Sequence, residues 1–556
     1  MTISLVSKRL ASVPSELRET FEALLARLPS SDLDDHLEAF EMQEKRMLGK
    51  DTLAAFQRYV KVNGSEDRIS NRQSLEGTVE SFKSSFEAIE KHAISADKII
   101  KSFGDQLPRE YGLMADKRNF QVQVNNCVHG LYRSMDFSVG KKAEALAQRT
   151  EYLGALMMET LLQGSDTEIV AGRLGGLGGG SAVAQAVVGR VCSETEEEGT
   201  MNLQSILLEG DISHSLGRRA KFYVTDCKED FALCPGAVVG AIGRTLRGGD
   251  EFFASSVESG LSIPNEPSSV VGAVEARGKY AESAVQVTVA FGPFSTRESL
   301  NFNLFTDLSV FVKDYKPHVV VLGGPFLDIS HPKVSSGSIF NQKGEPVSFE
   351  DIYKNEIIPR LEALAKVCQT TDTHLIIMPS LTDTCGADTP LPQPAFEWRI
   401  GELGAPHVHF ASNPCSLSIN GDINLMLTTS DILKQITSEL VLSNSLTSKG
   451  ANRIDLAIDL LLKQRTLFPS APCALPIEPS LLGSLSFREI PEILCFPSVL
   501  TQFAKNVEGR FVINAGSTCK GSGGGSVANI YIFPENKEKG RTGIQARIKA
   551  EILKVC

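Results

Sequence analysis

HVVVLGGPFLD, from His318 to Asp328, carries the reading that decides the fold. Val319, Val320, Val321 and Leu322 follow one another without polar alternation, and such a run describes a strand covered on both faces. The turn residues Gly323-Gly324-Pro325 end it. Working outward, similar runs appear at VQVTVAFGPF (Val285 to Phe294), HLIIMPSLTD (His374 to Asp383), Val408 to Ala411, and EILCFPSVL (Glu492 to Leu500). Helical patterns fall between them at Leu304 to Val312, Phe349 to Val367, Asp431 to Leu440 and Arg453 to Gln464. Buried strands alternating with helices predict a layered α/β domain over residues 263–556.

Upstream the texture differs. Five short β-type runs, Ala184 to Val191, Leu203 to Leu208, Ala220 to Thr225, Ala237 to Ile242 and Phe252 to Val257, are separated by turn residues such as Pro235-Gly236 and Gly248-Gly249. Five strands in so short a stretch suit a five-stranded OB-type β-barrel. A helix from Lys141 to Leu162 leads into it, so leading helix and barrel are assigned to 141–262. The stretch GGLGGGS from Gly175 to Ser181 satisfies neither GxGxxG nor the P-loop spacing, and reads as a linker. At the N-terminus, Leu17, Phe21, Leu24, Leu25 and Leu28 form one helical stripe. Leu33, Leu37 and Phe40, then Leu53, Phe56 and Val60, mark two more helices. Residues 1–64 are therefore expected to form an N-terminal helical bundle. Residues 65–140, where only Val79, Phe82, Phe86 and Ile89 keep a helical stripe, are expected to be a partly ordered connector.

The composition narrows the function. With 556 residues, 42% of them hydrophobic, the chain can build several packed cores. No apolar run approaches the ~20 residues of a membrane span, and Met1 to Leu5 opens no long apolar signal region, which predicts a cytosolic or nuclear protein with no membrane partner. Eleven cysteines, scattered from Cys127 to Cys556 without a CxxC pair, read as reduced thiols and not as a disulfide set or zinc site. A formal charge of -11 argues against a dominant phosphate-binding surface.

In a layered α/β domain, catalysis is written where strands end. These ends resemble, in degenerate form, the calcineurin-like metallophosphoesterases, which place DxH, GDxxD, GNHD or GNHE, a lone His and GHxH there to hold two metals. Ala290-Phe291-Gly292 stands where DxH belongs, Gly324-Pro325 where Gly-Asp belongs, and Ser380-Leu381-Thr382-Asp383 where the third motif belongs. GHxH cannot exist, because the last histidine is His409. Asp328 and Asp383 survive, and two isolated aspartates cannot hold two cations about 3.5 to 4 Å apart. The resemblance therefore implies an inactive phosphoesterase-like body with no catalytic residue, no cofactor and no metal.

GPFLD (Gly324, Pro325, Phe326 and Asp328) with His331 following, PSLTD at Pro379, PQPAF at Pro392, and NPCSLSINGDI (Asn413, Pro414, Cys415, Asn420, Gly421) resemble one family, the B subunits of replicative DNA polymerases. ILLEGD at Ile206, LCPGAVV at Leu233, VAFGPF at Val289 and KGSGGGSVANIYIF ending at Phe533 extend the match over roughly residues 141 to 534. The fit is best with the polymerase alpha-primase members. A delta or epsilon B subunit, or an active metal-dependent phosphoesterase with unorthodox ligands, is the alternative. The resemblance implies a nuclear, non-catalytic scaffold that grips the zinc-bearing C-terminal domain of the catalytic chain. Primase would be met through the complex, and replication factors through the N-terminal helices.

Some residues admit a second reading. His407 and His409 lie two apart on a strand and could share a metal, but a lone HxH without neighbouring Cys, Asp or Glu is ordinary sheet surface. Asp328 and Asp383 read better as turn caps than as a single-metal remnant. Lys520 sits in the Gly-rich loop Gly516 to Gly525, where Ser522 replaces the P-loop lysine, which favours a hairpin. Trp398 reads as packing. Phe222, Tyr223, Phe252 and Phe253 could stack bases on the barrel. Residues 187–258, however, hold seven Lys or Arg against twelve Asp or Glu, a net of -5. That charge favours a protein partner and weak or no direct DNA binding.

Overall fold

The computed structural model describes residues 94–104, 107, 120–128, 138–163, 169–172, 174, 183–194, 201–264, 284–339, 345–386, 388–397, 401–487, 489–521, 523–534 and 543–555. The helices expected over 1–64, the stripe from Val79 to Ile89, the GGLGGGS stretch, Trp398 and Ser522 lie outside the described residues.

Within 65–140, expected as a partly ordered connector, the described residues include two strands. Strand β1 (Ile94–Phe103) pairs with the last strand of the chain, from Phe103 opposite Ala550 to Ile94 opposite Val555. Strand β2 (Val122–Asn126) pairs residue for residue with Cys415 to Ile419. Both escape a reading of the sequence because they are sheet edges. The half-exposed alternation of β2 carries little apolar signal, and its partner lies some three hundred residues away.

Helix α1 (Val139–Gln163) buries Leu153, Gly154, Met157 and Leu161 against the barrel. Gly154 is required by this approach, since a Cβ there would lie 2.7 Å from a methyl of Val188. After the short β3 (Val170–Ala171), the barrel is built from β4 (Gln185–Ser193), β5 (Ile206–Gly210), helix α2 (Ile212–Ser215), β6 (Arg219–Tyr223), β7 (Ala232–Leu233), β8 (Val238–Leu246) and β9 (Glu251–Glu258). Pairing runs β4-β5-β6-β9-β8 and closes through β8 onto β4, with β6 and β9 parallel. All five expected runs are strands, and closing them removes every sheet edge within the ring.

Two stacked sheets make the body. The first uses β10 (Val285–Phe291), helix α3 (Leu304–Tyr315), β11 (Val319–Gly323), α4 (Pro332–Ser335), α5 (Phe349–Ile352), α6 (Ile358–Thr370), β12 (His374–Met378) and β13 (Val408–Phe410). The second begins with the hairpin β14 (Cys415–Ile419) and β15 (Ile423–Leu427), turned by Asn420 and Gly421 at φ 53° and 62°. An Asn-Gly pair with both residues at positive φ is what a tight hairpin demands. The chain continues through helix α7 (Leu433–Glu439), β16 (Val441–Leu442), α8 (Asn444–Ser448), α9 (Arg453–Lys463), β17 (Ile493–Phe496), β18 (Phe503–Val507), β19 (Arg510–Asn514), the β20 (Cys519–Lys520) and β21 (Gly523–Gly524) hairpin, β22 (Ser526–Ile532) and β23 (Ile548–Val555); β17, β18 and β19 join the second sheet, while β22 and β23 return to the first.

The sheet orders are β1-β23-β22-β10-β11-β12-β13 and β18-β19-β17-β15-β14-β2. Strands β10 to β13 are parallel. The run EILCFPSVL therefore does not extend that series. Its strand β17 lies in the second sheet, between β15 and β19. Val287, Val321, Leu425 and Ile513 meet between the sheets, while Phe311, Leu361 and Leu364 of α3 and α6 cover the outer face of the first.

Barrel and body share one apolar core. Phe222 and Phe252 of the barrel belong to the same cluster as Ile458, Leu461 and Leu494 of the body, and β7 pairs antiparallel with β16. Gly236 of LCPGAVV sits in this joint at φ 92°, where a Cβ would lie 2.2 Å from the backbone nitrogen of Ala471. Glycine there meets both the backbone angle and the close approach.

Candidate functional site

The parallel strands of the first sheet end together, and so do β15, β17 and β19 of the second. Ala290 is the penultimate residue of β10 and is fully buried. Gly292 follows, its N–H donating to Gly323 O at 2.8 Å. A Cβ on Gly292 would lie 2.0 Å from the carbonyl oxygen of Pro325, and one on Gly324 would lie 3.1 Å from Ser380 Cβ. At Gly292 backbone is packed directly on backbone. Phe326 fills the space below, its ring stacked on Phe294 at 5.4 Å, with Phe294 stacked on Phe305 at 4.7 Å.

Asp328 and Asp383 face each other across an isolated antiparallel bridge. Asp383 is fully buried and its oxygens are occupied. Phe326 N–H donates to Oδ2 at 2.5 Å, Cys385 N–H to Oδ1 at 3.2 Å, and the Tyr353 hydroxyl donates to Oδ1 as well. Burial pushes this carboxyl up to about 6, with the hydrogen bonds from Tyr353 and the backbone pulling the other way. Burial together with the Asp383 charge raises the Tyr353 phenol well above its ordinary value. Asp328 instead holds a local turn, accepting from Ser330 N at 2.9 Å and Ser330 Oγ at 2.7 Å. Neither aspartate offers a free, metal-ready carboxylate.

The rest of the constellation is neutral. His331 caps α4: its Nδ1 accepts from Lys333 N at 3.2 Å, and its Nε2–H donates to Thr296 O at 3.1 Å. That fixes the tautomer, and burial lowers the imidazole below its usual range. Leu381 is half-buried and Thr382 exposed, with Thr382 O accepting from Ile329 N at 2.9 Å. Asn413 is the centre of a buried web that the sequence does not reveal. Its Nδ2 donates to Gln393 Oε1 at 2.9 Å, and its Oδ1 accepts from Thr428 Oγ1 at 2.9 Å and Thr429 N at 3.1 Å. Pro414 O accepts from Ser412 Oγ at 2.6 Å, and Cys415 is a buried thiol raised by desolvation. Asn420 and Gly421 lie at the opposite end of β14, where Asn420 exchanges hydrogen bonds with Gln121 and so docks the segment leading into β2. The motif NPCSLSINGDI thus joins one residue of the strand-end web to a structural turn.

The other candidates resolve separately. His407 Nε2 donates to Ala365 O at 2.8 Å, whereas His409 Nε2 meets His374 Nδ1 at 2.9 Å, so the HxH pair does not converge. Lys520 is exposed in a hairpin. Among the described residues no group of three or more His, Cys, Asp or Glu is placed to hold a metal. On the barrel, Phe222 and Phe252 are buried in its core, which removes them as stacking platforms. Tyr223 and Phe253 stack on each other at 4.4 Å and are half-buried. Beside them Glu209 ties up Arg190 and Arg219 at 2.5 and 2.7 Å.

Comparison with known proteins agrees with this architecture. Residues 287–505 match the family model for the DNA polymerase alpha/epsilon B subunit, and residues 144–260 match the model for the OB domain of the DNA polymerase alpha B subunit. The chain is 28% identical over 513 residues to the DNA polymerase alpha B subunit of Schizosaccharomyces pombe, covering 88% of this chain and 84% of that one. It is 29% identical over 371 residues to the Mus musculus protein of the same name and 30% identical over the same length to that of Rattus norvegicus, each covering 65% of this chain. The match spans 57% of each rodent chain, a little over half its length. Barrel, body and their order all match, and the chain is similar across both to the B subunits of DNA polymerase alpha.

Proposed function

We propose that this protein is the non-catalytic scaffolding component of a DNA polymerase alpha-primase complex, acting in the nucleus during initiation of DNA replication. It would hold the zinc-bearing C-terminal domain of the catalytic subunit, meet primase through the complex, and reach replication factors through residues 1–64. The body would be a phosphoesterase-like fold that has lost its chemistry. The observation that carries this reading is the occupancy of the strand ends. Gly292 leaves no room for a ligand side chain, Pro325 stands where the second aspartate would, Asp383 spends its oxygens on Tyr353 and backbone N–H groups, and Asn413 and Gln393 form a neutral web. Two-metal hydrolysis needs several converging carboxylates and imidazoles, which such a site does not supply. The match of the barrel to the alpha-type OB model supports alpha over delta or epsilon.

Metal analysis and phosphodiesterase assays on the purified chain test this. The expected result is substoichiometric manganese, zinc and iron, and turnover no greater than a metal-only blank. Stoichiometric metal with turnover that Asp328→Ala abolishes would overturn the reading.

A further inference from the structure

Beyond the C-terminal ends of β12, β15 and β17 opens a cleft of about 540 Å³. Ile436, Leu467 and Phe468 line it with apolar surface, yet two polar groups within it are left over. Ser430 Oγ and Glu439 Oε2 are buried and have no hydrogen-bond partner among the described residues. Glu439 Oε1 is engaged, accepting from Gln435 Nε2 at 3.0 Å. The other carboxylate of the lining, Asp431, is spent. Its Oδ1 accepts from Leu433 N and Lys434 N at 3.2 and 3.0 Å, and its Oδ2 from Ser498 Oγ and Val499 N at 2.9 and 3.0 Å.

A carboxylate oxygen withdrawn from water without a donor is disfavoured, so its free energy falls when a cation arrives. The walls and the acceptors together describe the visitor. An arginine packs its aliphatic stem on apolar surface while its guanidinium donates in several directions, and arginine is enriched among interface hot spots. Two carboxylates against the one lysine of the lining, Lys434, keep the cleft acidic and disfavour a phosphate. We propose that this cleft seats an arginine side chain from the C-terminal domain of the catalytic subunit, an inference that rests on the scaffolding reading above. The former strand-end site would thus have become a socket for a partner's cation.

The test is capture of that domain by the full chain, measured across salt concentrations for wild type, Glu439→Gln, Glu439→Lys and Ser430→Ala, with melting temperatures recorded alongside. Glu439→Gln should weaken binding about tenfold at low salt, flatten its salt dependence and not lower the melting temperature. Ser430→Ala should weaken it severalfold, and it decides the matter if Glu439→Gln fails to fold. Changing the domain's arginines to glutamate one at a time should reveal one that restores capture by Glu439→Lys. Unchanged affinity and salt slope in folded Glu439→Gln and Ser430→Ala would overturn the socket while leaving the scaffold intact. A wild-type chain that captures nothing overturns the scaffolding reading, and the socket with it.

Discussion

Arg149 Nη2 donates to Gln464 Oε1 at 2.9 Å, and through that one amide the leading helix, the barrel and the body are joined. The same Oε1 accepts from Val238 N at 2.8 Å, while Nε2 donates to Val238 O at 2.7 Å and Ser259 O at 2.8 Å. Arg149 also reaches Gly236 O at 3.1 Å. Burial pulls the guanidinium down to about 10, which leaves it charged at neutral pH. The Gln464 amide thus ties the leading helix and the barrel to the body at a single point.

Gln464→Leu keeps the volume but strands both backbone groups of Val238 and removes a partner of a buried cation. The expected loss is about 3 kcal/mol or more of unfolding free energy, from several donors and acceptors left unsatisfied at once. Denaturant unfolding measures it, and a change below about 0.5 kcal/mol would show that the joint does not depend on this residue.

The pair His374 and His409 gives a pH signature. Burial lowers both imidazoles below their usual value, with nearby His407 acting in the same direction and Asp372 opposing at His374. A base depressed in the folded state contributes stability that is fully present above its unfolded value of about 6.5 and is lost as pH falls below it. Phe120 packs edge-on to His374 at 5.5 Å and edge-on to His318 at 4.9 Å. Asp383, raised by burial, has the opposite dependence, but it is common to wild type and variant and cancels in the comparison. The melting-temperature advantage of wild type over His409→Asn should therefore shrink between pH 7.5 and pH 5.5. A constant or growing advantage would contradict the assignment.

Single-stranded DNA should bind the protein poorly through its barrel. Two of the four candidate aromatics are core, the other two stack on each other, and Arg190 and Arg219 are held by Glu209. Base stacking and counterion release are thereby both curtailed. Fluorescence anisotropy with a labelled oligonucleotide at physiological salt should give a Kd above roughly 10 µM, within the non-specific range. Submicromolar binding weakened by substituting Tyr223 or Phe253 would refute this.

The long apolar runs from Val285, His318 and His374 are legible because strands buried on both faces leave unbroken hydrophobic stretches. The five barrel strands are legible from their turns. The edge strands β1 and β2 are not, since half-exposed edges carry weak patterning and long-range pairing leaves no local trace. Asn420-Gly421 carries a clear hairpin signal, one that a search of its motif for chemistry alone passes over. The absence of ligand residues at Gly292 and Pro325 can be read from residue types. The web around Asn413 and the socket at Glu439 cannot, because only packing brings Gln393 and Thr428 to Asn413 and sets Leu467 and Phe468 around the cleft that holds Glu439.

The scaffolding claim is tested most directly by affinity purification of the full-length chain from its own cells, with quantitative mass spectrometry of what comes with it. The catalytic subunit of DNA polymerase alpha and both primase chains are expected in stoichiometric amount. Recovery of the protein without any polymerase chain, under conditions where its relatives retain theirs, would contradict it.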